Sequence, residues 1–227
     1  MQTKTILVGN SDGIGLGMTK RLLDKGHDII GISRSESSIK HERYKHHTID
    51  VADGGYPELL RKIVDEFPVG LCIYFVGIGD LLDPLDMNRE PLIIDVNLTA
   101  MVKTVSAVIP SMVKRGQGHF IGLSSVADDL LSSVAPSYHA SKAGFTNYLR
   151  GLALALKPKG VSVTNIRFGF VDTKMAKGDV KPFMMNVEKA VNHVEYCIRN
   201  KPVNYTAPKI VIPLIKFRKF MMALGAK

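Results

Sequence analysis

Short apolar runs alternate with longer amphipathic stretches along most of the chain. The runs are rich in β-branched residues and bounded by glycine, proline or polar residues, and they predict six buried strands: KTILV, DIIGIS, a third that closes on TID, LCIYFVG, HFIGLSS and VSVTNIRFG. Between most of them the apolar residues recur at helical spacing. Strands that alternate with helices predict an α/β fold whose parallel sheet is wound on both faces.

Three helical stretches can be bounded from the sequence. One starts at Pro57 and runs to about Glu66, a second covers residues 92–115, and a third holds Tyr138 and ends before Pro158. A sheet of this kind places its ligands at the carboxyl ends of the strands. With no internal repeat or linker in the 227 residues, we expect one domain over residues 1–227.

The first strand leads through a glycine-rich turn, GNSDGIG, into a helical pattern. Gly9, Gly13 and Gly15 permit a tight turn and a close backbone approach to a pyrophosphate, with Ser11 and Ile14 in the same turn. The following helix presents unpaired N–H groups and a positive dipole end. A plain strand-to-helix turn is the alternative.

Tyr138 and Lys142 stand four residues apart, so on a helix they share one face. Lowering a phenol pKa from ~10 to ~7 takes roughly 4 kcal/mol, and one cation about 4 Å away at an effective dielectric near 20 supplies about that much. The spacing is therefore sufficient to make Tyr138 an acid at neutral pH. An ordinary amphipathic helix edge is the alternative.

Two further residues accompany the tyrosine, the lysine and the glycine turn: Ser125 lies thirteen residues before Tyr138, and Asn97 lies in the long helix. Together these motifs resemble those of the classical short-chain dehydrogenase/reductase family over residues 3 to about 175. The resemblance implies a three-layer, Rossmann-type fold. It also implies that Tyr138 exchanges a proton with a carbonyl or alcohol oxygen and that Lys142 lowers its pKa and holds the nicotinamide ribose. Ser125 would orient the substrate oxygen, and Asn97 would hold a water that links Lys142 to solvent. Read singly, Ser125 could cap a helix and Asn97 could occupy a helix bend.

Further cofactor contacts follow from the same resemblance. Ser33 and Arg34 end the second strand, where an arginine beside hydroxyls suits the 2′-phosphate of NADP(H), although NAD(H) stays possible because Asp12 replaces a residue that is often basic. A surface loop arginine is the alternative for Arg34. The remaining expected contacts are Asp50 and Val51 at the adenine, with a helix cap as the alternative for Asp50, then Gly77, Val171 and Thr173.

Three departures from the family pattern mark a divergent member. Its Asn-Asn-Ala-Gly run is Tyr74 to Gly77 here, so contacts made by those asparagines must come from elsewhere or be missing. Phe168 stands in its Pro-Gly turn, and Val8 replaces the threonine of its glycine turn.

The net charge of +9 is concentrated at one end. The stretch Tyr196–Lys227 has seven basic and no acidic residues, and no aromatic stacking surface accompanies it, so we expect no nucleic-acid partner. We expect the basic segment 204–227 to pack on the domain or a subunit neighbour, with an anionic membrane surface as the alternative.

Cys72 and Cys197, the only two cysteines, lie in apolar patterns and predict buried thiols rather than a disulfide or metal site. A core strand within a few residues of Met1 and no apolar stretch of spanning length predict a cytoplasmic protein.

The residues after Thr173, which cover the substrate in the family, are apolar at Met175 and at 183–185. They favour a small hydrophobic ketone or aldehyde, and packing against the core is the alternative. We therefore predict NADPH-dependent carbonyl reduction, or its reverse, in a homodimer or homotetramer. A nucleotide-sensing regulator that binds cofactor without turnover is the rival.

Overall fold

A parallel sheet of seven strands forms the centre of the molecule. The computed structural model describes residues 3–175 and 183–223. The strands follow the spatial order β3-β2-β1-β4-β5-β6-β7 and are β1 (Lys4–Val8), β2 (Ile29–Ser33), β3 (Tyr44–Thr48), β4 (Val69–Tyr74), β5 (Gly118–Ser125), β6 (Val161–Phe168) and β7 (Asn204–Ala207). Each neighbouring pair is parallel.

Helices cover both faces of the sheet. They are α1 (Gly13–Asp24), α2 (Tyr56–Glu66), α3 (Arg89–Ile94), α4 (Ala100–Arg115), α5 (Pro136–Leu156), α6 (Val187–Asn200) and α7 (Val211–Ala223). One apolar core lies between the sheet and α2, α4 and α5, and a second lies between the sheet and α1 and α6. The predicted three-layer, doubly wound fold in one domain is confirmed.

The strand order reverses between β1 and β4, because the chain runs outward from β1 to β3 and then crosses back to β4. At such a reversal two neighbouring loops diverge and leave a crevice at the carboxyl ends of the strands. The glycine turn after β1 and the segment after β4 border this crevice.

Several predicted boundaries are wrong. β3 stops at Thr48, because the Asp50 carboxylate accepts a hydrogen bond from Ala52 N at 3.0 Å and turns the chain. β4 leaves the sheet after Tyr74 instead of continuing to Gly77. The long helix starts at Arg89 and changes to a π-helical turn over Asp95–Thr99 before α4.

Sequence patterning also misses β7. Its four residues, NYTA, begin the basic segment 204–227, and they pair with Asn165 to Phe168 of β6. A four-residue edge strand carries too little hydrophobic pattern to be distinguished from a loop.

The stretch Arg89–Arg115 is long and apolar enough to cross a membrane by length and composition, contrary to the expectation from sequence. Half of its most apolar window is buried inside the protein, where it contributes to the core beside β4 and β5. A core helix of a globular protein passes the same test of length and composition.

Candidate active site

The turn after β1 requires glycine at three positions. Gly9 and Gly13 have φ angles of +84° and +52°, which favour glycine. A Cβ on Gly9 would lie 2.7 Å from Val76, and one on Gly15 would lie 2.2 Å from the Gly9 carbonyl oxygen. A Cβ on Gly13 would lie 3.2 Å from Thr173. The three glycine positions therefore have little room for a side chain. The turn leaves its backbone bare at the N-terminus of α1, where a pyrophosphate could bind.

Asp12 caps α1 at this turn. Its carboxylate accepts a hydrogen bond from Gly13 N at 2.8 Å and pairs with Lys174 at 2.6 Å. The hydrogen bond from Lys174 is the main reason that the pKa of Asp12 lies below its ordinary value. Through this pair the turn is linked to the segment after β6, where Val171 is buried and its carbonyl oxygen accepts a hydrogen bond from Thr173 at 3.4 Å.

At the end of β2, a hydrogen-bonded chain supports the segment that holds Arg34. Tyr44 and His46 bond at 2.8 Å, His46 lies 3.2 Å from the Ser33 hydroxyl, and both Ser33 and His46 reach the Ser35 carbonyl oxygen. Arg34 is exposed at this bend. Sequence reasoning named Ser33 and Arg34 but missed Tyr44 and His46, which reach the bend only because β3 pairs with β2.

The predicted adenine contacts differ in exposure. Val51 is buried in the core beside α2, whereas Asp50 is exposed at its turn. Val51 can therefore present backbone and little side-chain surface to a ligand.

Three of the four predicted catalytic side chains meet after β5 and on the first two turns of α5. Ser125 lies close enough to Tyr138 to lower the pKa of its hydroxyl, and the Ser125 oxygen also caps the following 3-10 turn at Ala127 N. Lys142 is only 3% exposed and donates to the Leu123 carbonyl oxygen at 3.2 Å. Its Nζ lies 5.9 Å from the centre of the Tyr138 ring, so the two side chains share one helix face as the spacing predicts.

Glycines of the chain after β4 border this cluster. A Cβ on Gly77 would lie 3.3 Å from Lys142 Nζ and 3.7 Å from Asn97 Oδ1, and one on Gly79 would lie 3.2 Å from the Tyr138 ring. Gly77 therefore borders the Lys142 and Asn97 side chains, and its contact with a cofactor stays a prediction. The absence of side chains here leaves space beside the lysine and the tyrosine.

Burial controls the protonation of both residues. It raises the pKa of Tyr138 above its ordinary value, with the Asp128 charge adding to the rise and the Ser125 hydrogen bond opposing it. Burial lowers the pKa of Lys142 to about 8, and the charge of Asp128 opposes that change. The lowered pKa expected for Tyr138 from its spacing to Lys142 is therefore wrong, because loss of hydration, the largest effect on this phenol, outweighs the lowering by Ser125.

Asn97 is fully buried in the π-helical turn. Its amide accepts from Ile78 N at 2.8 Å and donates to the Ile78 carbonyl oxygen at 2.9 Å, and it also donates to Ser141 at 2.9 Å. Asn97 thus joins the chain after β4 to α5, at the residue directly before Lys142. The predicted role of holding a water is untested, whereas this bridging role was not predicted.

Tyr74 replaces one of the family's asparagines and supports the same turn. The ring is fully buried, and its hydroxyl donates to the Val96 carbonyl oxygen at 2.7 Å. A π-helical turn displaces the usual carbonyl partners, so an external donor stabilises it. Tyr74 therefore supplies one stabilising contact at a position where the family has asparagine.

Asp128 is a charged neighbour that sequence reasoning missed. Its side chain is 2% exposed, forms an ion pair with Arg167 and accepts a hydrogen bond from Thr146 at 2.5 Å. Its charge acts on both Tyr138 and Lys142. The only sequence signal for a role of Asp128 at the site is its position in the run SSVADD, three residues after Ser125.

Phe168, in place of the family's proline, continues β6 for one more residue. It pairs with Ala207 of β7, and Gly169 N then donates to the Ala207 carbonyl oxygen at 3.0 Å. β7 therefore fixes the direction in which the chain leaves β6 towards Val171 and Thr173.

The predicted substrate cover is only partly described. Met175, Phe183 and Met184 are exposed, whereas Met185 is buried and pairs with Val171. Apolar side chains from two other loops, missed in the sequence, are also exposed at this edge: Leu81, Leu85, Met87, Leu131 and Val134. The two loops are joined by a bond from Leu82 N to the Val134 carbonyl oxygen at 2.8 Å.

Comparisons with known proteins identify the family of the chain. The sequence model of the short chain dehydrogenase family matches residues 3–182. The chain is 29% identical over 182 residues to 3-oxoacyl-[acyl-carrier-protein] reductase FabG of Vibrio cholerae, covering 76% of this chain and 75% of that protein. It is also 29% identical over 189 residues to a very-long-chain 3-oxoacyl-CoA reductase of Anas platyrhynchos, covering 76% of this chain and 61% of that protein.

A similar solved structure is that of a short chain dehydrogenase from Burkholderia cenocepacia in complex with NADP, with a TM-score of 0.86 and 20% identity over 100% of this chain and 99% of that one. The chain belongs to the short-chain dehydrogenase family and is an oxidoreductase that uses a nicotinamide cofactor, NAD or NADP.

Proposed function

We propose that the protein reduces a hydrophobic ketone or aldehyde to an alcohol, with NADPH as cofactor and Tyr138 as the proton donor. The observation that carries the proposal is the grouping of Tyr138 with Ser125 and the buried Lys142, whose Nζ lies 5.9 Å from the centre of the tyrosine ring, beside two glycines that leave room for a substrate.

The residues divide the work as follows. A substrate carbonyl oxygen accepts hydrogen bonds from the Ser125 and Tyr138 hydroxyls, which orient it and stabilise negative charge that develops on the oxygen. Tyr138 then donates its proton to that oxygen. The cofactor, when bound, supplies a hydride to the carbonyl carbon. A Tyr138 pKa above its ordinary value keeps the donor protonated at neutral pH.

Lys142 and Asn97 maintain the site. The Lys142 ammonium stabilises the tyrosinate that remains after proton transfer, and its pKa of about 8 leaves it largely protonated at pH 7. Asn97 fixes α5 against the chain after β4. We further propose that it holds a water through which Lys142 and Tyr138 regain a proton from solvent.

The glycine turn, from Gly9 to Gly15 with Ser11 and Ile14, would hold the pyrophosphate at the N-terminus of α1. Asp50 and Val51 would border the adenine, and Gly77, Val171 and Thr173 would border the nicotinamide half. The preference for NADPH is supported by exposed Arg34 at the end of β2, where a guanidinium can bind a 2′-phosphate in bidentate fashion.

Replacement of Arg34 tests this preference. We expect Arg34→Ala to weaken NADPH binding by about 10- to 100-fold, the value of a charge-assisted hydrogen bond, and to leave NADH binding within about 2-fold. Lys40→Ala removes another exposed charge from the same loop and serves as the control. Fluorescence titration measures both affinities, and equal losses for the two cofactors would refute the assignment.

A hydrophobic substrate is supported by the exposed apolar residues around the site and by the names of the two relatives, which act on 3-oxoacyl thioesters. A ketone on an acyl chain is therefore the first class to test. The thioester carrier and the chain length are left open.

Initial rates on a panel of ketones, aldehydes and 3-oxoacyl thioesters, followed by the absorbance of reduced nicotinamide, test the function. We expect turnover that rises with the length of the apolar substituent. Tight cofactor binding without turnover on any member of the panel would instead support the rival, a nucleotide-sensing regulator.

We also propose a homodimer or homotetramer in the cytoplasm. Exposed Leu154 on α5 gives the outer layer an apolar position for a subunit contact. Both cysteines are free and buried, and burial raises the pKa of the Cys197 thiol to about 12, which suits a reducing compartment. Light scattering gives the oligomeric state.

A further inference from the structure

The last helix presents an apolar face to solvent. Ile210, directly before α7, is 53% exposed, and Leu214 and Phe217 are 52% and 65% exposed. They are four and three residues apart, so they lie on one side of the helix. Val211 and Ile215, on the other side, are buried against the domain. We call Ile210, Leu214 and Phe217 the α7 face.

This face belongs to the most basic part of the chain. The stretch Tyr196–Lys227 has seven basic residues and no acidic one. An apolar helix face within a cationic segment complements an anionic lipid surface, because the basic residues are attracted to the headgroups and the apolar side chains enter the boundary between headgroups and acyl chains.

A second copy of the chain fits the face less well. A symmetric contact through α7 would bring two copies of residues 204–227 together, and their ten basic side chains, with no acidic side chain in either segment, would repel one another. The charge therefore favours lipid over a second copy.

The position of α7 connects this surface to the active site. A Cβ on Gly169, at the end of β6, would lie 3.8 Å from Val211. α7 also contacts the 3-10 turn Val126–Asp129, which begins directly after Ser125. Leu131, Val134 and Phe170, which follow these same two strand ends, are exposed as well.

We propose that α7 lies on the surface of an anionic membrane with the α7 face inserted, and that the site takes its carbonyl substrate from that membrane. The second clause rests on the proposed function, whereas the first depends only on the α7 face and on the charge of the segment.

Vesicle co-sedimentation of the full chain tests the first clause. We expect binding to phosphatidylcholine vesicles that contain about 30 mol% phosphatidylserine, and at least about tenfold weaker binding to pure phosphatidylcholine or in high salt. The double variant Leu214→Ser/Phe217→Ser should lose about tenfold in affinity on the anionic vesicles. Val203→Ser removes an exposed apolar side chain from the same basic stretch, before β7 rather than after it, and should bind like the wild type.

Equal binding of the wild type and the double variant, or no binding to anionic vesicles, would overturn the proposal. A double variant that changes from dimer to monomer in light scattering would assign the α7 face to a second copy and would also overturn it.

Turnover separates this inference from the proposed function. We expect the double variant to reduce a water-soluble short ketone at the wild-type rate and a long-chain ketone in anionic vesicles at least about fivefold more slowly. Turnover without vesicle binding leaves the function standing and refutes the inference. Vesicle binding without turnover on either ketone refutes the function alone.

Discussion

Burial at Tyr138 and Lys142 moves both side chains towards their neutral forms. The phenol holds its proton more firmly than a free tyrosine, and the pKa of the amine falls to about 8. A firmly held proton suits a donor, and an amine near its pKa can accept and return a proton at cellular pH. Asp128 raises both pKa values and is therefore the residue through which the pH dependence can be changed.

Asp128→Asn should shift the pH profile of reduction. Because the charge of Asp128 raises the pKa of Lys142, its removal lowers that pKa below about 8, and kcat/KM should begin to fall at a lower pH than in the wild type. The loss of one buried ion-pair partner should also reduce the free energy of unfolding by about 1–3 kcal/mol. Initial rates between pH 6 and 10 measure the shift.

Asp129→Asn is the matched control, since Asp129 also pairs with Arg167 and follows Asp128 directly. We expect its profile to match that of the wild type. If both variants shift the profile equally, the Arg167 ion pairs rather than the charge of Asp128 position the site.

Lys142→Met should stabilise the fold while it abolishes turnover. A lysine pKa of about 8 in the folded state and 10.5 when unfolded means that the unfolded chain binds more protons between these values, so wild-type stability rises with pH across this window. Below pH 8 the buried amine costs up to about 3 kcal/mol, which methionine avoids.

Urea denaturation at pH 7 and pH 10 measures the difference. We expect the variant to be more stable than the wild type at pH 7 and the gap to narrow at pH 10. A gap that widens at pH 10 would contradict a lowered lysine pKa.

Tyr138 and Lys142 could be named from sequence because they share one helix face, and Ser125 could be named because its position resembles the family's motif. Asp128 and His46 could not be named, because they act through neighbours that only the packed fold supplies. The direction of the Tyr138 pKa also depends on burial, which the four-residue spacing does not contain.

Among the elements, the π-helical turn at Asp95–Thr99 sets the position of Asn97 against α5. Sequence patterning reads the same residues as continuous helix, since a π-helical turn inserts its extra residue without breaking the apolar periodicity by much. The support of this turn by Tyr74 is one of the features that separate this chain from the family pattern.

Tyr74→Phe should lower kcat as well as the free energy of unfolding. Loss of the hydroxyl leaves the buried Val96 carbonyl oxygen without this donor, which costs about 1–3 kcal/mol, and it releases the turn that holds Asn97. We expect kcat to fall about 5- to 20-fold, by analogy with other misplaced supporting groups.

Tyr56→Phe provides the comparison. Tyr56 is also fully buried and bonds Thr104 of α4 at 2.6 Å, on the far side of the turn from the site. It should lose stability without losing kcat. A similar kcat for the two variants would show that the Tyr74 bond serves stability alone.

At the scale of the whole molecule, the alternation of apolar runs and helices is sufficient to predict the sheet, its layers and the edge that holds the site. β7 escaped prediction because a four-residue edge strand depends on its partner β6 more than on its own sequence. Substrate identity also escaped it, because the apolar cover is assembled from loops distant in sequence, at Leu81, Leu131 and Met175.

Turnover of Tyr138→Phe beside the wild type tests whether Tyr138 donates the proton. With NADPH affinity checked by fluorescence, we expect kcat to fall about 10²- to 10⁴-fold with cofactor binding retained, and we expect no fall in Tyr196→Phe, whose ring is exposed on α6. Equal turnover by Tyr138→Phe and the wild type would show that Tyr138 is not the proton donor.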